Sequence, residues 1–397
     1  MNVFKFLLYT IVFMIMFFSG EMRIYNQIFG EKISVLLFFV FSFLLYQTGC
    51  RPRRIIMENL RILAPVVTWI ILVNYFFNHD TTTYKGIVTC IYLLSMCLIA
   101  SSVNFGRFKN VMLLVANIIA VASIVVQFAY NLGLVGATDP HLQTANSPRA
   151  LYLFNVDWSW AGEGRLASIY HEPGQYQIVL TYIICMFADE LSDIKRWFKP
   201  NIKKFGIIIL AFILTKSTMG YVVMGLVFFT MVTNVLLDGK NKLIFPVIIG
   251  IAYLVFILIY SSDAIQMKIE QSQNLNAHSS FAIRFADNVA LLESIKDKPI
   301  TGWGSDSLSL LKTLVNRGSV TNSNGVFLAA AELGVVYVFM WFVMLFRGLR
   351  RIYNLQLAIG LSIALMLTQM NEVGYFLPII FIYLFRFKDS TKYSSNV

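Results

Sequence analysis

Charge is scarce in this sequence. Only 13% of its 397 residues are Asp, Glu, Lys or Arg, while 57% are hydrophobic, more than a soluble core of this size can hide. Cysteine is equally thin. Cys50, Cys90, Cys97 and Cys185 stand in neither CxxC nor metal spacing, which argues against a disulfide scaffold, a zinc site or a redox pair. Of the four histidines, His79, His141 and His278 have no partner at metal-ligand spacing. A P-loop and a Ser-His-Asp triad are also missing, so no metal site and no cofactor are expected. The apolar run after Lys5 lacks an Ala-x-Ala-like cleavage site and reads as a retained first span. With no low-complexity tract or Pro/Gly-rich linker to divide it, 1–397 reads as a single membrane domain.

What the sequence has is a succession of apolar runs near membrane-spanning length. Inside lipid only helices and closed barrels satisfy their own backbone groups. The runs predict an all-α polytopic integral membrane protein with about twelve transmembrane helices. They lie near 3–19, 32–48, 60–78, 84–103, 109–133, 174–189, 203–215, 218–237, 243–261, 323–346, 354–371 and 373–386. The seventh and last are short, which leaves tilt or partial re-entry open.

A net charge of +11 in a soluble protein would suggest nucleic acid. Here the basic residues fall between apolar runs, where orientation and anionic lipid account for them, and no nucleic-acid partner is expected. Arg51, Arg53, Arg54 and Arg61; Arg107 and Lys109; Lys195, Arg196, Lys199, Lys203 and Lys204; Lys240 and Lys242; and Arg347, Arg350 and Arg351 occupy alternate connections. Lys5, Arg386, Lys388 and Lys392 add to the same side, so both termini are expected in the cytoplasm.

The two long connections, 134–173 and 262–322, then fall outside. The first carries Trp158 and Trp160 and leads into Arg165-Leu-Ala-Ser-Ile-Tyr-His-Glu-Pro-Gly-Gln-Tyr-Gln177, which packs an arginine, a histidine, a glutamate and two tyrosines into a short stretch. In the second, Phe281, Phe285, Val289 and Leu292 repeat at helical spacing behind a possible Ser279/Ser280 cap. Leu308, Leu311 and Leu314 repeat it again, and both stretches suit helices that lie on the membrane surface or roof a cavity. Between them Pro299-Ile-Thr-Gly302-Trp-Gly304 is a turn whose glycines permit close backbone approach.

This arrangement resembles the O-antigen polymerase and ligase superfamily. The resemblance rests on Arg165 ahead of His171-Glu172-Pro173-Gly174, on the tight Thr215-Lys-Ser-Thr-Met-Gly220 turn, and on Arg284 followed by Asp297-Lys-Pro-Ile-Thr-Gly302-Trp-Gly304. Thr321-Asn322-Ser323 and Ala331-Glu332-Leu333-Gly334 extend it, so that it covers roughly 150–345. It implies a GT-C-like helical architecture in the bacterial cytoplasmic membrane, with an active site facing the periplasm or cell exterior. It also implies a metal-independent glycosyltransferase that polymerises undecaprenyl-diphosphate-linked repeat units into O-antigen, capsule or exopolysaccharide. Donor and acceptor are then both lipid-linked glycans, and a flippase and chain-length regulator of the same pathway are implied partners. The ligase branch carries a histidine where this chain has Thr321-Asn322, a departure that counts against a ligase. A transporter of lipid-linked oligosaccharide is the non-enzymatic alternative, although the two halves of the chain do not match as carrier repeats do.

The chemistry constrains the roles. A polyprenyl-diphosphate glycan already carries an activated anomeric carbon, so the protein must stabilise the departing diphosphate and handle the proton of the attacking hydroxyl. An arginine fork holds phosphate oxygens bidentately and stays charged beside lipid, which makes Arg165 and Arg284 the candidate clamp. Glu172 or His171 is the candidate base. Lys216 and Asn322 are candidate substrate contacts, as are Gly302 and Gly304 through their backbone. Tyr170, Tyr176 and Trp303 offer rings for sugar faces. Each has a structural alternative: Glu172 as a helix cap, the cations as lipid-headgroup contacts, the aromatics as interfacial anchors. Glu332, an ionisable group within a span, is a functional hypothesis of its own.

Overall fold

The computed structural model describes residues 3–19, 31–49, 53–78, 84–136, 149–151, 154–157, 165–170, 172–192, 200–237, 280–318, 324–370 and 377–388. The apolar runs fold into helices α1 (Val3–Phe18), α2 (Glu31–Thr48), α3 (Arg53–Ile71), α4 (Tyr84–Ser102), α5 (Phe105–Asn131), α6 (Pro173–Cys185), α7 (Ala188–Leu191), α8 (Pro200–Leu214) and α9 (Thr218–Leu237). After them come α10 (Ser280–Asp297), α11 (Leu308–Asn316), α12 (Gly325–Ile352) and α13 (Leu355–Gln369). Strands β1 (Arg149–Leu151) and β2 (Phe154–Asp157) pair antiparallel in a small hairpin that the apolar pattern does not predict.

Among the described residues five helices are long and apolar enough to cross a membrane: α3 with its extension to Phe77, α4, α5, α9 and α12. Helices α1, α2, α8 and α13 are apolar but shorter. The protein is therefore helical and membrane-embedded. The expected ninth span, 243–261, lies outside the described residues. Helices α1, α2 and α4 pack side by side with α3 against α4, while α9, α13 and α12 form a second row and α5 lies on α8. One continuous apolar core joins them. Phe128, Phe229 and Phe339 are 63%, 64% and 68% exposed, an arrangement suited to hydrocarbon as solvent.

Three elements differ from their expected form. Helix α3 begins at Arg53, taking Arg53 and Arg54 into its first turn, and widens into a π-helix over Leu72–Phe77. The widening has a cause in the sequence: Asn74 Nδ2 donates to the Ile70 carbonyl (2.8 Å) and Asn78 Nδ2 to that of Val73 (3.0 Å), competing with the regular ladder. The sixth expected span is shorter than 174–189, because the helix breaks after Cys185. All thirteen residues of α6 are buried, so it is enclosed by neighbours on every side.

The last expected span, 373–386, is corrected most. Residues 373–376 lie outside the described residues, and the described remainder contains a buried 3-10 helix, Pro378–Leu384, in place of an α-helix. It runs through the middle of the molecule against α12, α4, α1 and α6. The Tyr383 hydroxyl donates to the Tyr182 carbonyl (3.0 Å), and the Ile379 N–H to Ser19 Oγ (3.2 Å). A Cβ on Gly348 of α12 would stand 1.5 Å from the Tyr383 carbonyl oxygen, so only glycine allows this crossing.

Helix ends sort into two sets. In one, Lys109 at the start of α5 pairs with Asp189 and Glu190 of α7, and Glu58 near the start of α3 with Arg386. Asn59 bonds Ser101 at the end of α4 there, and the Lys388 N–H bonds the Val103 carbonyl. The other set gathers the α8–α9 turn with the stretch leading into α6, and, separately, the end of α3 with the starts of α4 and α12.

Candidate functional site

The stretch Arg165–Tyr170 is held from three sides before it enters α6. The Leu166 N–H bonds the Leu214 carbonyl (2.9 Å) at the end of α8. Asn155 of β2 bonds the Ser168 carbonyl through its N–H (2.7 Å) and the Tyr170 carbonyl through its side chain. From α5, Ser123 shares a 2.5 Å hydrogen bond with Ser168, and Gln127 reaches the β2 carbonyl of Val156. Ser168 itself has φ 61°, a left-handed conformation that costs a non-glycine residue about 1–2 kcal/mol.

Arg165 is half-buried, and its Nε donates to the Thr215 carbonyl at 3.2 Å, across 50 residues of sequence. The next residue in that turn, Lys216, is exposed and has φ 47°. Asp306, the other described non-glycine residue with positive φ, lies just after the glycine turn of the second long connection. Local strain thus collects in the two long connections and the α8–α9 turn, the pattern seen where the surrounding fold over-determines a functional conformation.

Pro173 occupies the first turn of α6, as its fixed φ favours, and Glu172 is the N-cap residue. The Glu172 side chain makes no capping bond, so the cap alternative does not account for it. Five residues on, Gln177 packs on the α9 start so closely that a Cβ on Gly220 would come within 2.5 Å of its side chain. The fold therefore brings Arg165, Lys216 and the Glu172 end of α6 to one region. His171 lies outside the described residues, as do Trp158, Trp160 and Asn322.

Tyr170 and Tyr176 stack on each other with ring centroids 5.1 Å apart and planes 17° from parallel. Both are fully buried. Neither ring is open to a sugar; the two pack on each other within the apolar core. Burial pushes the Tyr170 phenol well above its ordinary range, and it stays protonated.

The glycine turn is also spent internally. Gly302 and Gly304 have φ 63° and 88°, and the backbone they approach is that of α12. The N–H groups of Trp303 and Gly304 bond the carbonyls of Ala331 and Glu332 (2.9 and 2.8 Å), and Val335 bonds back to Pro299 (2.9 Å). These bonds are possible because α12 is broken at Gly334, whose φ is 81° and ψ 161°. The Trp303 indole donates to the Ser294 carbonyl, with Lys298 4.4 Å above the ring. The Trp303 and Gly304 N–H groups are thus engaged in a structural joint with α12.

Arg284 is half-buried on α10, which packs on α12 and α11, so its scaffold differs from that of Arg165. Phe285, Val289 and Leu292 of the same helix are exposed while Ala290 and Leu291 are buried, so its apolar residues fall on both faces and the expected amphipathic division is weak. One group escaped the sequence reading. Lys85, in the first turn of α4, pairs with Glu332 at 2.9 Å and with Asp306 at 3.4 Å. The signal was available, because Lys85 and Glu332 are both ionisable groups in apolar runs, yet nothing in the sequence pairs positions so far apart. Among the described residues no cluster of His, Cys, Asp or Glu has the arrangement of a metal site. No family model matches the chain, and no curated protein matches it.

Proposed function

We propose that the protein polymerises polyprenyl-diphosphate-linked oligosaccharide repeat units at the outer face of the bacterial cytoplasmic membrane, with the diphosphate held beside Arg165. The observation that carries this reading is the junction of Arg165 with the α8–α9 turn, where its Nε bonds the carbonyl of Thr215, the residue before Lys216. Two cations and a helix N-terminus make a positive field, in a chain otherwise poor in charge, where a departing diphosphate is stabilised. Arg165 bonds phosphate oxygens as the glycosidic C–O bond to the diphosphate breaks. The uncapped Glu172 carboxylate takes the proton of the attacking sugar hydroxyl, with His171 as the rival base. Arg284 contributes charge from the second long connection once donor lipid is seated.

In this reading, which the basic residues of alternate connections support, both termini and the Lys109–Glu190 end are cytoplasmic and the Arg165 region faces outward. Further spans beyond the five among the described residues, and a GT-C-like architecture, belong to the same reading. Its test is a pair of variants. Arg165→Ala and Glu172→Gln are expected to reach the membrane at parental level while surface polysaccharide falls to single repeat units. Full-length polysaccharide from either variant contradicts the assignment, and loss of all capped surface lipid with intact intermediates indicates a ligase.

A further inference from the structure

Helix α12, long and apolar enough to cross a membrane, is broken at Gly334, and the break is closed by the glycine turn of the second long connection. A broken transmembrane helix leaves carbonyls that lipid cannot satisfy. Here Ala331 and Glu332 are satisfied by the glycine turn, and Leu333 by the Trp69 indole of α3 (2.8 Å). A Cβ on Gly334 would stand 1.7 Å from the Ile300 carbonyl oxygen, so turn and break fit only with each other. The π-widened end of α3 supplies a second set of bonds to the same turn. The Ser305 N–H donates to Asn74 Oδ1 (2.7 Å), Lys298 to Asn78 Oδ1 (3.0 Å), and Asn78 Nδ2 to the Gly302 carbonyl (3.3 Å).

Charge closes the joint. Lys85 of α4 has a largely buried side chain and sits between Glu332, one residue before the last of the first α12 half, and Asp306, in the strained residue that ends the turn. A buried pair that loses one partner leaves an uncompensated charge, a far larger loss than that of an exposed pair. The Lys85–Glu332 pair is the buried kind, and the Asp306 carboxylate is 45% exposed.

We propose that Lys85 is a positioning residue: through Glu332 and Asp306 it locks the 299–306 turn into the α12 break and thereby fixes α10, the helix that carries Arg284. The lock is a property of the fold and holds whatever reaction the outer face performs. Its consequence for glycosyl transfer rests on the reading given under the previous heading. In that case loss of Lys85 lowers the rate without touching substrate, because Arg284 is no longer held in register.

The experiment is membrane-impermeant maleimide labelling of Ser305→Cys, in a full-length chain whose Cys50, Cys90, Cys97 and Cys185 are replaced by alanine. Ser305 is buried, so labelling reports opening of the turn. Lys85→Met and, independently, Glu332→Gln are expected to raise the labelling rate at least about tenfold. Asp306→Asn is expected to change it by less than about threefold, as its partner's main contact remains. Lys109→Met removes another lysine of two ion pairs at the opposite end of the molecule and is expected to leave the rate unchanged. Unchanged labelling in both Lys85→Met and Glu332→Gln overturns the proposal, as does an equal rise in Lys109→Met, which would report general loosening. Labelling that rises while polysaccharide length stays parental keeps the lock and removes Arg284 from the reaction.

Discussion

At the scale of single residues, the division of work around α6 is between groups that face a ligand and groups that hold them. Arg165 and Lys216 are joined through the Thr215 carbonyl, and Glu172 stands uncapped at the helix start. Arg165→Ala is expected to lower the polymerisation rate on the order of a hundredfold, with unchanged membrane level, measured as repeat units added per minute. Tyr170 belongs to the holding set. Its hydroxyl is buried and has no hydrogen-bond partner among the described residues, while its ring stacks on Tyr176. Tyr170→Phe is expected to keep both thermal stability in detergent and polymer length, whereas Tyr170→Ala loses about 3–5 kcal/mol of stability. Loss of polymer in Tyr170→Phe with stability intact would instead give the hydroxyl a ligand. The sequence showed which residue types cluster near 165–177, because polar groups stand out in an apolar chain. It did not show that the tyrosines face inward, since a ring's stacking partner depends on tertiary packing.

At the scale of elements, apolar run length and turn chemistry made most helices legible, including Pro173 at the first turn of α6 and the amphipathic α11. The features that escaped are those set by side-chain competition with the backbone or by a distant segment. Asn74 and Asn78 widen the end of α3, and Pro378 with its buried surroundings makes a 3-10 helix of what reads as a span. The hairpin β1–β2 is too short for any periodicity to reveal. The break in α12 is the most instructive case: Ala331-Glu332-Leu333-Gly334 stood out as a motif, yet its form depends on Ile300–Gly304 filling it. Gly334→Ala is expected to abolish a monodisperse folded species in size-exclusion chromatography, because both its φ and its space exclude a side chain. Gly225→Ala in α9, where a Cβ would meet nothing within 4 Å, is expected to be neutral or slightly stabilising. A folded Gly334→Ala protein would mean that the joint is looser than its geometry.

At the scale of the molecule, the described helix ends gather into two sets, and the proposed orientation assigns one to each side of the membrane. The Lys109, Glu58 and Arg386 contacts share one end, and the Arg165 region and the Lys85 joint are built at the opposite helix termini. Reporter fusions at residue 137 and residue 239 are expected to read outside and cytoplasm respectively; the reverse result would move the proposed site to the side where nucleotide sugars are available. The central claim is that the outer-face charges transfer glycans from a lipid diphosphate. Its most direct test is the purified protein with lipid-linked repeat units, without nucleotide sugar or divalent metal. Products of two or more repeat units, abolished by Arg165→Ala, are the predicted result. Repeat units that stay single under conditions where a known polymerase lengthens them would contradict it.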